Sequence, residues 1–443
     1  MIPETPATVL LNHQTAQPEG SANVEPDAFL PPETAEKSLQ TAEHRANLLE
    51  REQKKNEPSG FGPGKFPGIW HPIRVIFWLI HVAFGTAAIV VVLSIVAAIP
   101  ALNLLVLGYM LDAQKRVAMS GRLRDGFPLL QLAPRLGVIC FFTMLFLIPV
   151  QLLSTHANAA LIVRAGSESS SQGLILVLRS VQVLTAIHLI LAIGRGGSVG
   201  CFLRPIKNVR WILAQLVSGE YPRTLDQWAG ETLTILRPGY HFILGLKGVF
   251  GAILWLSIPS ALLVAYSAPG RTSPIFGVLS FFGALVMIPV VAWLPSLQIH
   301  QAVSGRFAAI FEVGAARKII RRAPLAWMFT TTLLYAMTLP LYLAKVRLPP
   351  ADAFLFLTPI FVLLTYPARL AVAWAWHRGS LRMQWAMFPV RLVSRVVMFG
   401  VLAIYVGFLF VTPTISELGK AAPLENHAFL SPIPYGQWSR AAK

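Results

Sequence analysis

The sequence predicts an all-α fold, a polytopic transmembrane helical bundle of about eight spans with interfacial amphipathic helices, and a duplication of hairpins is one of two readings of its repeated pattern. Three observations carry this prediction. Only 13% of the 443 residues are charged while 55% are hydrophobic, with a mean hydropathy of +0.60; soluble domains hold about 25% charged residues. The apolar residues come in runs near or above the roughly 18 that mark a membrane-crossing helix. The charge is also sorted along the chain: 37 Lys and Arg against 20 Asp and Glu give +17 overall, but the sign changes between the N-terminal stretch and the rest.

Residues 1–57 carry ten acidic and five basic side chains, so they are net −5 and the remaining chain is +22. Up to Pro31 and Pro32 the stretch mixes Pro, Glu, Asn and Thr without periodicity, a composition that cannot bury enough apolar surface to offset the entropy of ordering. From Glu33 to Glu57, Leu39, Ala42, Ala46 and Leu49 recur at helical steps, which predicts a short charged helix ending before Pro58. Such a helix is either an arm for a protein partner or a solvated helix without one. Residues 58–74 read as a Gly/Pro linker in which Phe61, Phe66 and Trp70 suit a headgroup region. Its GPGK at 62–65 lacks the spacing and the Ser/Thr of a phosphate loop. No signal peptide is expected, since the first 30 residues show no charged-apolar-small pattern.

The membrane domain is predicted over 75–414, followed by a polar tail at 415–443. Its apolar runs lie at 75–99 (extending to 111), 136–154, 174–193, 242–267, 274–298, 325–344, 352–376 and 392–413. Lys and Arg decide the orientation. The connections after the first, third, fifth and seventh runs hold 21 of them, from Lys115 to Arg395, whereas the alternating ones hold only Arg164, Arg271, Lys345 and Arg347. The basic connections are therefore expected in the cytoplasm of a cell with an inner membrane. The run 75–111 is too long for one upright span: 37 residues make ~55 Å of helix against a hydrocarbon core of ~30 Å. A fold-back near Pro100 is expected; the alternative is one crossing continued as an interfacial helix.

A local pattern recurs after these runs. Ala118-Met119-Ser120-Gly121-Arg122-Leu123 leads to Phe127, and Ala302-Val303-Ser304-Gly305-Arg306-Phe307 leads to Phe311, with Ser218-Gly219 and the looser His377-Arg378-Gly379-Ser380 as further versions. Each reads as a helix that stops where Gly takes the left-handed cap conformation. The pattern is either a trace of duplicated hairpins or ordinary chemistry at a membrane exit. Arg116, Arg122, Arg124, Arg306, Arg321 and Arg322 are expected to form a lipid-facing basic rim that attracts anionic headgroups at ~1 kcal/mol per basic residue.

Inside the runs the ionisable residues are few. Arg179 and Lys247 are the candidate binding residues, for an anion or lipid headgroup, against the alternative that both snorkel to an interface. No Asp or Glu lies well inside a run; Asp112, Glu312 and Asp352 sit at edges, which weighs against a carboxylate-based proton pump. His81 and His188 are expected as packed imidazoles. No catalytic constellation, metal-ligand spacing or cofactor motif stands out, and Gly194-Arg195-Gly196-Gly197-Ser198-Val199-Gly200 lacks the spacing of a dinucleotide loop, reading instead as an exit turn or as small residues for close helix approach. Cys140 and Cys201 imply no disulfide framework, and the dispersed basic residues no nucleic-acid partner.

The segment Pro100-Ala-Leu-Asn103-Leu-Leu-Val-Leu-Gly108-Tyr109-Met-Leu-Asp112, continuing through Arg116 to Ser120-Gly121 and Pro128, resembles a Gly-Tyr helix and basic turn of uncharacterised prokaryotic membrane proteins grouped as a domain of unknown function. The resemblance implies a multispanning helical architecture and no activity. Three functions compete on sequence grounds: a non-enzymatic scaffold or transport-accessory protein, a permease for a lipid-like or anionic small molecule, and, least favoured, a membrane-embedded lipid-modifying enzyme.

Overall fold

A computed structural model describes residues 67–415 except 69, 100, 131, 164–167, 220–229, 231–232, 268–272 and 347–353, together with Pro423 and His427. The acidic stretch 1–57, most of the linker, Arg164, Arg271 and Arg347 lie outside the described residues. Regular structure among the described residues is helical throughout: α1 (Pro72–Ala98), α2 (Leu102–Ser120), α3 (Ala133–Val163), α4 (Glu168–Gly194), α5 (Val199–Phe202), α6 (Pro205–Ser218), α7 (Pro238–Leu263), α8 (Pro274–Ser304), α9 (Val313–Arg322), α10 (Pro324–Val346), α11 (Phe354–Leu381) and α12 (Phe388–Ile415). Seven helical segments are long and apolar enough to cross a membrane, in α1, α3, α4, α7, α8, α11 and α12. This is the make-up of a multi-pass membrane protein.

The run 75–111 is two helices. α1 stops at Ala98, Ile99 is extended, and Ala101 takes a positive φ of 63° before α2 starts. α2 then packs on α1, α7, α8 and α11. Twelve of its nineteen residues are buried, polar ones included, so the least apolar part of the run becomes the centre of the bundle. α4 is the opposite case: it packs on α3, α5 and α6 around a small cluster of Phe142, Leu189, Ala192, Cys201 and Phe202, and its outer face is bare.

α10 forms where the run 325–344 predicts it, yet it is not among the seven, because Thr330, Thr331, Tyr335, Thr338 and Tyr342 dilute its hydropathy. All five are buried. Away from water each hydroxyl needs a partner, and the tyrosines find theirs on main-chain carbonyls of other helices. Tyr335 donates to Val291 O at 2.7 Å and Tyr342 to Phe408 O at 2.7 Å. The first bond has a clear cause. Pro295 inside α8 has no N–H to give to the carbonyl four residues earlier, which is that of Val291; the Tyr335 hydroxyl takes the vacant place.

α2 and α7 meet backbone to backbone. A Cβ placed on Gly108 would lie 1.6 Å from His241 O, and one on Gly245 would lie 1.8 Å from Leu104 O. Small residues that let helices approach this closely are a main source of packing energy in membranes, where burial from lipid supplies little. At residues 194–200, where the sequence favours an exit turn over close helix approach, a turn forms: Gly196 takes φ 128°, and a Cβ on Gly200 would meet nothing within 4 Å.

The Ser-Gly-Arg pattern has one repeated geometry. Gly121 and Gly305 both sit at φ 72° as the caps of α2 and α8. Each is followed by an extended Arg and a short 3-10 turn, Leu123–Gly126 or Phe307–Phe311. In both, the Arg N–H is donated to the Ser hydroxyl, Arg122 to Ser120 at 3.2 Å and Arg306 to Ser304 at 3.4 Å. Gly219 caps α6 in the same left-handed conformation. The fourth version differs. α11 continues through Gly379 to Leu381, because Gly379 is pressed against Ile319 of α9, 2.6 Å from an added Cβ, and serves packing rather than termination.

Candidate functional site

Two polar assemblies stand out, a buried seam around α2 and an arginine-rich rim around α9. In the seam, Asp112 is 5% exposed and is closed from both sides: Arg116 Nε donates to Oδ2 at 2.9 Å and the Tyr240 hydroxyl to Oδ1 at 3.2 Å. The His241 ring stands edge-on to Tyr109 and Tyr240, with centroids 5.8 and 5.4 Å apart. Tyr366 donates to Gly126 O, and its hydroxyl lies 3.3 Å from that of Tyr109. One helical turn further along α2, Gln114 and Arg369 exchange hydrogen bonds, Arg369 Nη1 to Gln114 Oε1 and Gln114 Nε2 to Arg369 O, both at 3.0 Å. His377 Nδ1 then lies 2.9 Å from Ala118 O. The partners climb together along α2 and α11, so these helices run in the same direction.

Two sequence expectations change here. The sequence puts Asp112 at the edge of its apolar run and Arg369 in the basic connection after the seventh run. Both are buried instead, Arg369 to 3% exposure. The reason is that α2 begins only at Leu102 and lies inside the bundle, so its polar residues find partners on α7 and α11 rather than water. The signal was present as Asn103, Tyr109, Asp112 and Gln114 interrupting an apolar run, but the partners that Tyr109, Asp112 and Gln114 find on other helices come from 128 to 257 residues away.

Arg179 and Lys247 lie on different helices, α4 and α7. Arg179 is exposed on α4. Lys247 Nζ donates to Gly305 O at 3.4 Å, and Gln301 Nε2 donates to Lys247 O at 3.3 Å, so this lysine ties α7 to the cap of α8. His188 is packed as expected, Nε2 lying 3.0 Å from Phe202 O, whereas His81 is exposed on α1.

Of the six rim arginines, Arg122 is exposed and Arg124 lies 3.6 Å from Asp125. Arg116 is held by Asp112, and Arg306 Nη2 by Glu312 Oε1 at 2.8 Å. Glu312 also meets His300 Nε2 at 2.7 Å. The His300 hydrogen bond, helped by the Arg306 charge, holds the Glu312 carboxyl below the usual glutamate range. A lowered carboxylate stabilises the fold above the ordinary range, and that contribution is lost as pH falls through the lowered value. The melting temperature of the wild-type chain is thus expected to fall more on acidification through that window than that of Glu312→Gln; melting curves of both detergent-solubilised chains across acidic pH check it.

Arg321 and Arg322 belong to a larger group. The Arg321 and Arg391 guanidinium carbons lie 5.5 and 5.6 Å from the same Trp385 ring. Arg378 stacks on Trp374 at 4.8 Å and Arg317 lies 5.9 Å from Trp293. Arg382 Nη1 donates to Arg322 O at 3.4 Å. Nε of both Arg322 and Arg391 is buried without a hydrogen-bond partner among the described residues. α9 supplies this group because Ala316, Ile319 and Ile320 pack inward while Arg317, Lys318, Arg321 and Arg322 fall on its other sides. Comparison with known proteins adds no relative: no protein-family model, no curated protein and no solved structure matches this chain.

Proposed function

We propose that the protein is a non-enzymatic scaffold or transport-accessory protein of a prokaryotic inner membrane. In this reading α10 is an eighth crossing, α1 and α2 form a fold-back, α6 and α9 lie along the interface, and the basic connections face the cytoplasm. The observation that carries it is the closed packing of the centre. α2 and α7 are in main-chain contact at Gly108 and Gly245, and charged and amide groups of the seam close on one another, Asp112 with Arg116 and Tyr240 and Gln114 with Arg369. A permease that alternates its access would have to part these contacts in each cycle.

The duplicated Ser-Gly-Arg caps support a hairpin repeat, and a protein partner on the acidic stretch 1–57 remains part of the proposal. Thiol labelling separates scaffold from permease. With Cys140 and Cys201 changed to Ala, Thr331→Cys and Thr338→Cys place single thiols at positions fully buried in α10. Both are expected to stay unlabelled by membrane-impermeant maleimide in spheroplasts and in inside-out vesicles, and to react after denaturation. Labelling from either side would favour the permease for a lipid-like or anionic molecule.

A further inference from the structure

We infer that the groove between α8, α9 and α12 is a binding site for an anionic phospholipid of the surrounding bilayer, with the phosphate on Arg317, Arg321 and Arg395 and an acyl chain along Leu285, Phe399 and Leu402. The groove holds about 450 Å³, within the size of ordinary ligand pockets. Its two ends differ in kind. One is made by three guanidinium groups from two helices; the other is apolar, built by Leu285, Ile288 and Pro289 of α8 facing Phe399 and Leu402 of α12. Leu285 and Phe399 are 43% and 55% exposed, on helical segments apolar enough to cross a membrane, so the apolar end opens sideways to where lipid chains lie. An amphiphile with a negative head matches this order of surfaces; a free anion would use only half of it.

The charge around the head position calls for an anion. No acidic side chain lines this groove or the smaller one beside it, where Arg321 and Arg395 recur with Arg391. Trp385 gathers Arg321 and Arg391 around a single ring, and like charges brought this close repel unless a counter-charge sits between them. Guanidinium forks suit phosphate oxygens, which they bind in pairs. The rim arginines Arg116 and Arg306 already have carboxylate partners; Arg317 and Arg321 of the groove have aromatic faces instead, which orient a cation without neutralising it. The site thus narrows the diffuse attraction expected of the whole rim to one place.

This inference rests on the membrane placement proposed above but not on the choice between scaffold and permease. The test uses the full chain in nanodiscs of phosphatidylcholine with a minor fraction of phosphatidylglycerol whose chains carry bromine, and reads the quenching of Trp293, which lines the groove, as the difference between each protein and its Trp293→Phe counterpart, since the chain holds eleven tryptophans. The wild type is expected to be quenched at phosphatidylglycerol fractions about 10-fold lower than Arg317→Gln/Arg321→Gln/Arg395→Gln. The control Arg122→Gln/Arg124→Gln/Arg306→Gln, which leaves the groove intact, should follow the wild type. Equal quenching of wild type and groove variant would overturn the site, as would equal quenching by brominated phosphatidylcholine. Inorganic phosphate competing at millimolar concentration without any dependence on chain length would show a free-anion site and also overturn it. Should the groove variant fold poorly, Phe399→Ser provides the second arm: it keeps every arginine and is expected to weaken quenching by long-chain lipid while leaving the order of headgroups unchanged. The thiol labelling of α10 reads the bundle centre separately, so the two proposals fail independently.

Discussion

Replacing Gly108 with leucine is expected to prevent a stable bundle from forming, and Gly245→Leu to do the same. At both positions an added Cβ meets main-chain atoms of the facing helix at less than 2 Å. A side chain can rotate out of the way; a carbonyl in a helix can move only with the helix. Overpacking in a close-packed interior commonly costs about 1–3 kcal/mol, and displacement of a whole helix pair should reach or exceed the upper end. Even alanine should lower the melting temperature of the purified chain and shift it towards aggregates on size exclusion. Gly200→Ala is the control. With open space around it, it should be neutral or slightly stabilising, since alanine is the better helix former by about 1 kcal/mol. A Gly108→Ala chain as stable as wild type would show that the two helices are not in main-chain contact.

Loss of Gln114 should be the second severe change. Its amide accepts from the Arg369 guanidinium and donates to the Arg369 main-chain carbonyl, and a hydrogen bond to a charged group contributes about 1.5–3 kcal/mol when a buried partner is removed. Gln114→Leu leaves Arg369 inside the bundle with this partner gone and is expected to destabilise by at least that amount. Arg369→Met should also destabilise, because Gln114 Oε1 then loses its guanidinium donor, while the bond from Gln114 Nε2 to the main-chain carbonyl of residue 369 can persist. The double variant is expected to be less unstable than the two single effects added together, since replacing both partners of a buried pair by apolar groups removes the desolvation penalty along with the bond. Additive losses in denaturation of the detergent-solubilised chain would mean that the two side chains do not act as a pair.

Much of the architecture was legible in the residues. The seven apolar helices lie where the runs predict them, the break near Pro100 divides the long run, and Gly121, Gly219 and Gly305 end helices in the left-handed conformation expected of them. These features depend on neighbours a few residues apart, which is the range over which apolar periodicity, proline and glycine act. The fourth Gly pattern fails for the same reason in reverse: Gly379 has the local signal of a cap, but contact with Ile319, 60 residues earlier, gives it another task.

The candidate sites divide in the same way. The basic rim could be read from counting Lys and Arg, yet counting could not separate Arg369, buried against Gln114, from Arg395 at the mouth of a groove. Nor could it tell that Arg116 and Arg306 are already paired with carboxylates. A charge in sequence has a sign but no surroundings; its solvation and its partners are set by helices that meet from distant parts of the chain. Composition and periodicity therefore determined that this protein is helical, apolar and basic between its helices. Only tertiary packing decided which polar groups close on one another at the centre and which arginines converge on an apolar groove, because both depend on main-chain approaches, such as that of Gly108 to His241, that no local pattern encodes.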